Sequence, residues 1–307
     1  MNHRKTIVGL GEMLWDMLPG GERLGGAPAN FAVMASRLGD RGVVASRLGK
    51  DDLGRRALDA LAQLPVDASF LQSDGEYPTG TVSVTLAQGE PEYTIHEPVA
   101  WDRLTFTDEW RGLAQQADAV CFGTLAQREN ASRETIQEFV SATRADCVRV
   151  FDVNLRESFF SVDVILQSLT KATVVKLNET EVPRVLSLID LGTATNEENS
   201  LREAASRLLD RFPLQLVCVT LGSHGSLLVS RSGHHRHPGV PSVLKDAIGA
   251  GDAFTAAMTH YYLEGAPLPV LNEAGNRWGS WVASQAGAMP PLPAETLTAI
   301  TREISSL

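Results

Sequence analysis

Lys245-Asp246-Ala247-Ile248-Gly249-Ala250-Gly251-Asp252-Ala253-Phe254 is the stretch from which the fold can be read. Two glycines flank one small residue, so the backbone there can take conformations closed to bulkier residues and let a charged ligand approach. Ala253-Phe254-Thr255-Ala256-Ala257-Met258 follows as the first turns of an apolar helix. A Gly-rich turn feeding a helix leaves several backbone N–H groups unpaired beside the positive end of the helix dipole. That is an anion site, and phosphate is the commonest biological anion placed in one. Asp252 is unexpected on such a platform. Two roles are open to it from the local sequence: a helix-start cap, or a group with chemistry of its own.

Working outward, the chain has 307 residues, 43% of them hydrophobic, which suffices for one large core or for one core with an appendage. With a net charge of −10 and a pI near 5.2 it lacks the basic face of a nucleic-acid binder. No apolar stretch approaches the roughly 20 residues that span a bilayer. Met1-Asn2-His3-Arg4-Lys5 leads into a short apolar run and then Glu12 and Asp16, unlike a signal peptide. Cys121, Cys147 and Cys218 each lie in or beside an apolar, strand-like run, and their spacing fits no metal motif. These features describe a cytoplasmic protein with no nucleic-acid or membrane partner.

Towards the N-terminus, Thr6-Ile7-Val8-Gly9-Leu10 has the all-apolar character of a buried parallel strand. Gly25-Gly26-Ala27-Pro28-Ala29-Asn30 then enters a helix over 31–38, with Pro28 placed for a first turn. A strand over 42–48 and a helix over 55–64 continue a β-α rhythm that favours a parallel sheet with helices on both faces. The rhythm breaks at 79–86 and 92–96, which alternate polar and apolar residues around Gln88-Gly89-Glu90. That is a half-exposed hairpin, suited to a small lid rather than to the central sheet. Helices over 108–116, 133–143 and 199–211 and strands over 119–122, 148–153, 173–177 and 216–219 resume the rhythm. Short strands near 226–230 and 234–238 return the chain to the opening stretch, and helices over 252–264 and 268–286 close the domain. Several polar groups collect where these strands end: Asp152-Val153-Asn154-Leu155-Arg156, Asn178-Glu179-Thr180-Glu181 and Thr220-Leu221-Gly222-Ser223-His224-Gly225. In open α/β sheets, ligands bind at the carboxyl ends of strands.

In this order, with Gly11-Glu12, Asp16 and Leu48-Gly49-Lys50-Asp51-Asp52-Leu53-Gly54, the elements resemble the ribokinase-like (PfkB) carbohydrate kinases across nearly the whole chain. Gly25–Asn30, the Asp-x-Asn-x-Arg strand end and Gly11-Glu12-Met13-Leu14-Trp15-Asp16 look most like bacterial fructokinases. The resemblance implies a single α/β domain over 1–307, a three-layer sandwich with a mostly parallel central sheet. A small β lid, from about 13–24 and 79–100, would be inserted in it. It implies ATP-dependent phosphorylation of a sugar hydroxyl. Asp252 would be the base, and the Gly249, Ala250 and Gly251 amides would hold the transferring phosphoryl group.

Asp16, Gly26, Asn30 and Arg156 match sugar-side positions, although an ion pair with Asp152 is an alternative for Arg156. Asn178, Thr220, Gly222, Gly225 and Asn276 match the nucleotide side, where Asn276 could equally be a structural hydrogen bonder. Glu181 matches a position that orders Mg²⁺ through water, or, with Asn178, caps a helix. Asp246 matches a position beside which the family often binds K⁺. The resemblance also implies a homodimer joined through the lid.

There are departures. Ala247, Ile248 and Ala253 stand where the signature has Ser or Thr, and Ala27 replaces a lysine seen in ribokinase, which argues against ribose. Residues 77–100 contain no Lys or Arg, which argues against a phosphorylated substrate. The rival readings are a kinase for 2-keto-3-deoxygluconate, ribose or a nucleoside, and a non-catalytic sugar-binding relative. The cluster His234-His235-x-His237 reads as a solvent-facing strand, and Asp51 and Asp52 as helix caps.

Overall fold

A computed structural model describes residues 4–18, 20–87 and 90–307, with side-chain surroundings described outside 84–93. The chain begins with β1 (Thr6–Leu10), the antiparallel pair β2 (Leu14–Leu18) and β3 (Gly21–Gly25), α1 (Ala27–Arg37) and β4 (Arg41–Gly49). Next come α2 (Asp52–Leu61), β5 (Leu71–Asp74) and the hairpin strands β6 (Gly80–Ala87) and β7 (Glu90–Ile95). The β-α rhythm then gives α3 (Asp108–Gln116), β8 (Ala119–Phe122), α4 (Asn130–Ala142), β9 (Val148–Asp152), α5 (Val162–Lys171), β10 (Val174–Asn178) and α6 (Glu181–Leu188). The chain closes with α7 (Glu198–Arg211), β11 (Leu216–Thr220), β12 (Ser226–Ser230), β13 (Gly233–His237), α8 (Ala250–Leu263), α9 (Leu268–Ala283) and α10 (Ala294–Ser305).

Nine strands form one sheet in the order β13-β12-β11-β10-β9-β8-β1-β4-β5, parallel except that β12, near one edge, runs against its neighbours β11 and β13. Alternation along each strand sorts side chains into two cores. Val8, Val120, Phe122, Phe151, Val175 and Val217 face α3 to α7, while Ile7, Ala119, Cys121, Val150, Val174 and Leu216 face α1, α8, α9 and α10. A period of two, read against apolar runs, therefore yields three layers rather than a one-faced sheet. The three cysteines are buried and free, and burial pushes each thiol above its ordinary pKa.

A second sheet, in the order β3-β2-β6-β7, is the small one expected from 13–24 and 79–100. Its base is fixed to the main body. Val82 and Ile95 are 7% exposed and pack among Leu14, Val99 and Trp101. On the other side, Trp15 donates from Nε1 to the Leu53 carbonyl at 3.0 Å, and Arg56 lies over its ring. At the foot of β7, the buried Arg128 guanidinium forks onto Asp102 with two 2.8 Å bonds and also donates to the His96 carbonyl. The side chains of Val84, Leu86 and Tyr93 lie outside the described residues.

The structure corrects the sequence reading at several elements. Helix α2 begins three residues before the expected 55, because Asp51 caps it by accepting from the Gly54 N–H at 2.7 Å. Strand β5 and helices α5 and α6 went unread, and α10 adds a third closing helix. Its Leu297, Ile300 and Ile304 pack on the second core at helical spacing. The histidine strand is not simply solvent-facing: His237 is buried with Nε2 2.7 Å from Glu273, and His235 docks on Asn272.

Candidate active site

The strands that end at one edge of the large sheet deliver the candidate residues. β1 delivers Glu12 and β9 delivers Asp152. β10 and α6 bring Asn178 and Glu181, and β11 brings Thr220. Helix α8 enters this edge from the opening stretch. Gly249 is its N-cap at φ 79°, and a Cβ there would lie 2.5 Å from the Ala288 Cβ, so only glycine fits. No side chain caps the first turn. The Ala250 N–H makes a long 3.3 Å bond to the Ala247 carbonyl, while the Gly249 and Gly251 amides remain donors without a partner among the described residues, at the positive end of a 14-residue helix.

Asp252 lies in this first turn, and its Oδ2 accepts from Asn30 Nδ2 at 2.7 Å. That bond joins α1, which carries the first Gly-rich turn, to α8, which carries the last. Gly26 caps α1 at φ 112°, where any Cβ would stand 2.4 Å from the Glu12 carbonyl oxygen. Burial pushes the Asp252 carboxyl up to about 6, with Asp152 adding to the rise; Asn30, Lys176 and Arg156 act the other way. Glu12 is 3% exposed and lines the same small cleft as Asp252, Asp152, Asn154 and Thr255. Burial raises Glu12 to about 7, and the neighbouring Asp252 charge adds to the rise. Among the described residues, two buried acceptors here, Glu12 Oε2 and Asn30 Oδ1, have no hydrogen-bond partner. Unmatched buried acceptors are costly unless a ligand brings donors to them.

Beneath the Gly249–Gly251 turn lies a residue that sequence reading missed. Lys176 is 7% exposed, its Nζ donates to Asp152 Oδ1 at 3.1 Å, and a Cβ on Gly251 would stand 3.2 Å from it. Burial pulls the Lys176 pKa down, but Asp152, Glu181 and Asp252 outweigh it and hold the ammonium above its ordinary value. Thr255 ties the same group together, donating from Oγ1 to the Gly251 carbonyl at 2.8 Å and to Asp152 Oδ2 at 3.3 Å. The signal was present in the sequence: a lysine inside Val-Val-Lys-Leu, since lysine is seldom buried without a partner.

The remaining candidates divide. Arg156 is exposed, and no ion pair to Asp152 forms, since Asp152 takes Lys176; its charge lowers the pKa values of Glu12, Asp16 and Asp252. Burial raises Asp16, and Arg156 and Arg23 oppose the rise. Asn178 does act as a cap, its Oδ1 accepting from the Thr180 and Glu181 N–H groups at 3.0 and 2.9 Å. Asn276 donates from Nδ2 to Ser226 Oγ and to the Asn272 carbonyl, so its amide nitrogen serves the α9–β12 contact. Thr220 ends β11 and donates weakly to the Leu177 carbonyl, while Gly222 and Gly225, both at positive φ, turn the chain into β12. A larger open cavity of about 770 Å³ lies elsewhere, between α7 and the β12–β13 turn. There Arg207 and Arg231 are spent on backbone carbonyls of Leu191, Thr193 and Leu209.

The two implied metals fare differently. Glu181 is buried, and its two oxygens accept single backbone N–H bonds from Leu155 and Asn178 at 2.8 Å, leaving lone pairs for ordered water. Oxygen donors of this kind suit Mg²⁺ held through its own hydration shell. Asp246 does not suit a dissolved monovalent ion. Its Oδ1 accepts from the Ile248 N–H at 3.0 Å and its Oδ2 from the Gly287 N–H at 3.1 Å, and Oδ2 also ion-pairs with Arg23 Nη1. A second cation at that carboxylate would have to share Oδ2 with the guanidinium and would be repelled by it.

The pattern describing pfkB family carbohydrate kinases matches residues 20–295. Over 304 residues the chain is 32% identical to the fructokinase of Salmonella typhimurium, covering 92% of this chain and 95% of that one. A double-mutant fructokinase from Vibrio cholerae O395, solved with fructose, ADP and a potassium ion, aligns with a TM-score of 0.81 at 25% identity over 97% of this chain and 98% of that one. Aminoimidazole riboside kinase from Salmonella enterica, solved with aminoimidazole riboside and an ATP analog, shares the fold with a TM-score of 0.79 at 24% identity, covering 97% of this chain and 99% of that one.

Proposed function

The chain belongs to the pfkB family of carbohydrate kinases, and on that footing we propose that it phosphorylates the primary hydroxyl of a neutral ketohexose, fructose first. The observation that carries this reading is the division of Asn30. Its Nδ2 holds Asp252, and its Oδ1 is left buried and unmatched beside Glu12 Oε2, which is also unmatched. Hydroxyl donors of an uncharged sugar satisfy both acceptors; a phosphorylated sugar would meet carboxylates instead. The absence of Lys and Arg in 77–100 and the likeness to a fructokinase over nearly the full length support the same substrate class.

In the reaction, the sugar's primary hydroxyl oxygen attacks the γ-phosphorus of ATP. The bond from γ-phosphorus to the bridging oxygen breaks, ADP leaves, and the hydroxyl proton passes to an Asp252 carboxylate oxygen. Burial serves this transfer, because a carboxyl pushed up to about 6 is ionised at neutral pH yet basic enough to take the proton. The Gly249–Gly251 amides hold the equatorial oxygens as charge gathers on them, and Lys176 sets a fixed positive charge beneath the loop. Asp16 and Arg156 orient the sugar from the lid side and the β9 side. Thr220, Gly222, Gly225 and Asn276 border the nucleotide, with Asn276 offering its remaining amide oxygen. Glu181, on the turn that Asn178 caps, would hold Mg²⁺ through water, and the ion would supply neutralisation of the phosphoryl charge. The small sheet closes over the sugar and excludes water, which competes for the phosphoryl group. The protein works as a cytoplasmic homodimer paired through that sheet.

The test is ADP release measured against a panel of hexoses, pentoses, 2-keto-3-deoxygluconate, nucleosides and sugar phosphates. Fructose is expected to give the highest kcat/KM. Turnover confined to a nucleoside or a sugar phosphate would remove the ketohexose and leave the kinase.

A further inference from the structure

We propose that Arg23 is a tethered cation that takes, at Asp246, the place of a dissolved monovalent ion, and so couples the lid strand β3 to the anion loop. The site it completes is built. Asp246 stands three residues before the N-cap of α8, and the segment is fixed from behind, where the Lys245 and Asp246 N–H groups both donate to the Ala283 carbonyl at 2.9 and 3.1 Å. The Asp246 carboxylate then gathers the Ile248 and Gly287 N–H groups, drawing 246–248 and 287 around one negative charge. That charge lies near the place where phosphoryl charge must accumulate. Some cation has to balance it, or the loop would oppose the anion it exists to hold.

Arg23 does so from the second sheet. Its Nη1 pairs with Asp246 Oδ2, the carboxylate side chain being only 15% exposed. The stem of Arg23 passes along Gly287, where a Cβ would stand 3.6 Å from Arg23 Cδ. In the β2–β3 ladder Arg23 is the partner of Asp16, and its charge acts on that carboxyl as well. One guanidinium thus stands between a sugar-side carboxylate and the carboxylate that shapes the anion loop. A dissolved ion would be indifferent to the lid. A cation carried on β3 balances the loop only when β3 is seated, so lid position and loop charge become one equilibrium. The planar fork of arginine suits this post better than a point charge would.

This inference rests on the kinase reading, and its test has an arm that needs neither sugar nor turnover. The melting midpoint of the unmutated protein is compared in about 100 mM KCl and about 100 mM choline chloride, at equal ionic strength. The same is done for Arg23→Gln, and for Arg23→Ala as a second truncation at this half-exposed position. The unmutated protein is expected to melt at the same temperature in both salts, and each variant to gain several degrees from K⁺ alone. In the turnover arm, the unmutated enzyme is expected to stay within about twofold between the salts. The variants should lose about tenfold in choline and recover most of it in K⁺. A midpoint of the unmutated protein that rises with KCl over choline chloride overturns the proposal. So do variants that melt and turn over alike in both salts. A panel without a substrate would sink the kinase reading and leave the melting comparison standing.

Discussion

At the residue scale two buried carboxyls, Asp252 and Glu12, make different predictions. For Asp252→Asn, turnover is expected to fall at least about a hundredfold, with nucleotide and sugar affinity kept, because a positioned base is lost and little else. In its proposed role as base Asp252 acts ionised, and with its carboxyl raised to about 6, kcat/KM should be level above that pH and fall about tenfold per unit below it. Glu12 makes the opposite kind of prediction, about stability. Its folded pKa is raised from 4.5 to about 7, so folding favours the protonated form. The sign follows: the ionised group costs nothing well below pH 4.5, and the cost grows as pH rises and levels off above 7. At pH 8 it reaches about 3 kcal/mol, against under about 1 kcal/mol at pH 5. Glu12→Gln, which mimics the protonated form, should therefore raise the melting temperature at pH 8 and change it little at pH 5. Equal shifts at both pH values would refute the linkage. Asp252 could be read from the sequence because glycines surround it. Lys176 and Arg23 were harder to read, since their meaning lies in Asp152 and Asp246, 24 and 223 residues away.

At the element scale, legibility followed burial. β8, β12 and α3 lie where the sequence placed them, because continuous apolar runs or a clean helical stripe leave one solution. β5 did not announce itself: Leu-Gln-Ser-Asp is an edge strand of four residues, held by pairing to β4 rather than by its own pattern. α10 was hidden behind Pro290, Pro291 and Pro293, which read as loop although the last of them caps the helix. The β6–β7 hairpin was legible from alternation, but its anchor was not. Asp102 is fully buried, and Arg128, which forks onto it, also closes the foot of β7 through the His96 carbonyl. Arg128→Ala leaves that carboxylate buried without its partner and should cost about 3–5 kcal/mol in urea unfolding. It should also loosen the hairpin. A loss under about 1 kcal/mol would mean that water reaches Asp102 and the anchor is not the guanidinium.

At the scale of the whole molecule, the large sheet carries the candidate site along one edge, and the small sheet is the proposed cover. The small sheet has four strands, and its two edges, β3 and β7, lack a strand partner within the described chain. Gly21, Glu22 and Arg23 of β3 are exposed to solvent. A small sheet with two open edges is either protected by charge or paired with another copy. Its inner half is already spent, because Val82, Ile95, Leu14 and Trp15 pack against the body of their own chain. Pairing would therefore use the outer half. Two covers joined in this way would move together, so sugar bound in one protomer would order the other's hairpin. Light scattering should give about twice the chain mass of 33.1 kDa. Amide exchange over 80–87 and 90–95 should slow when the sugar is added, more than exchange in α4, which lies away from the cleft. A mass of one chain would remove the pairing. Hairpin exchange indifferent to sugar would remove the cover itself, and with it the coupling assigned to Arg23.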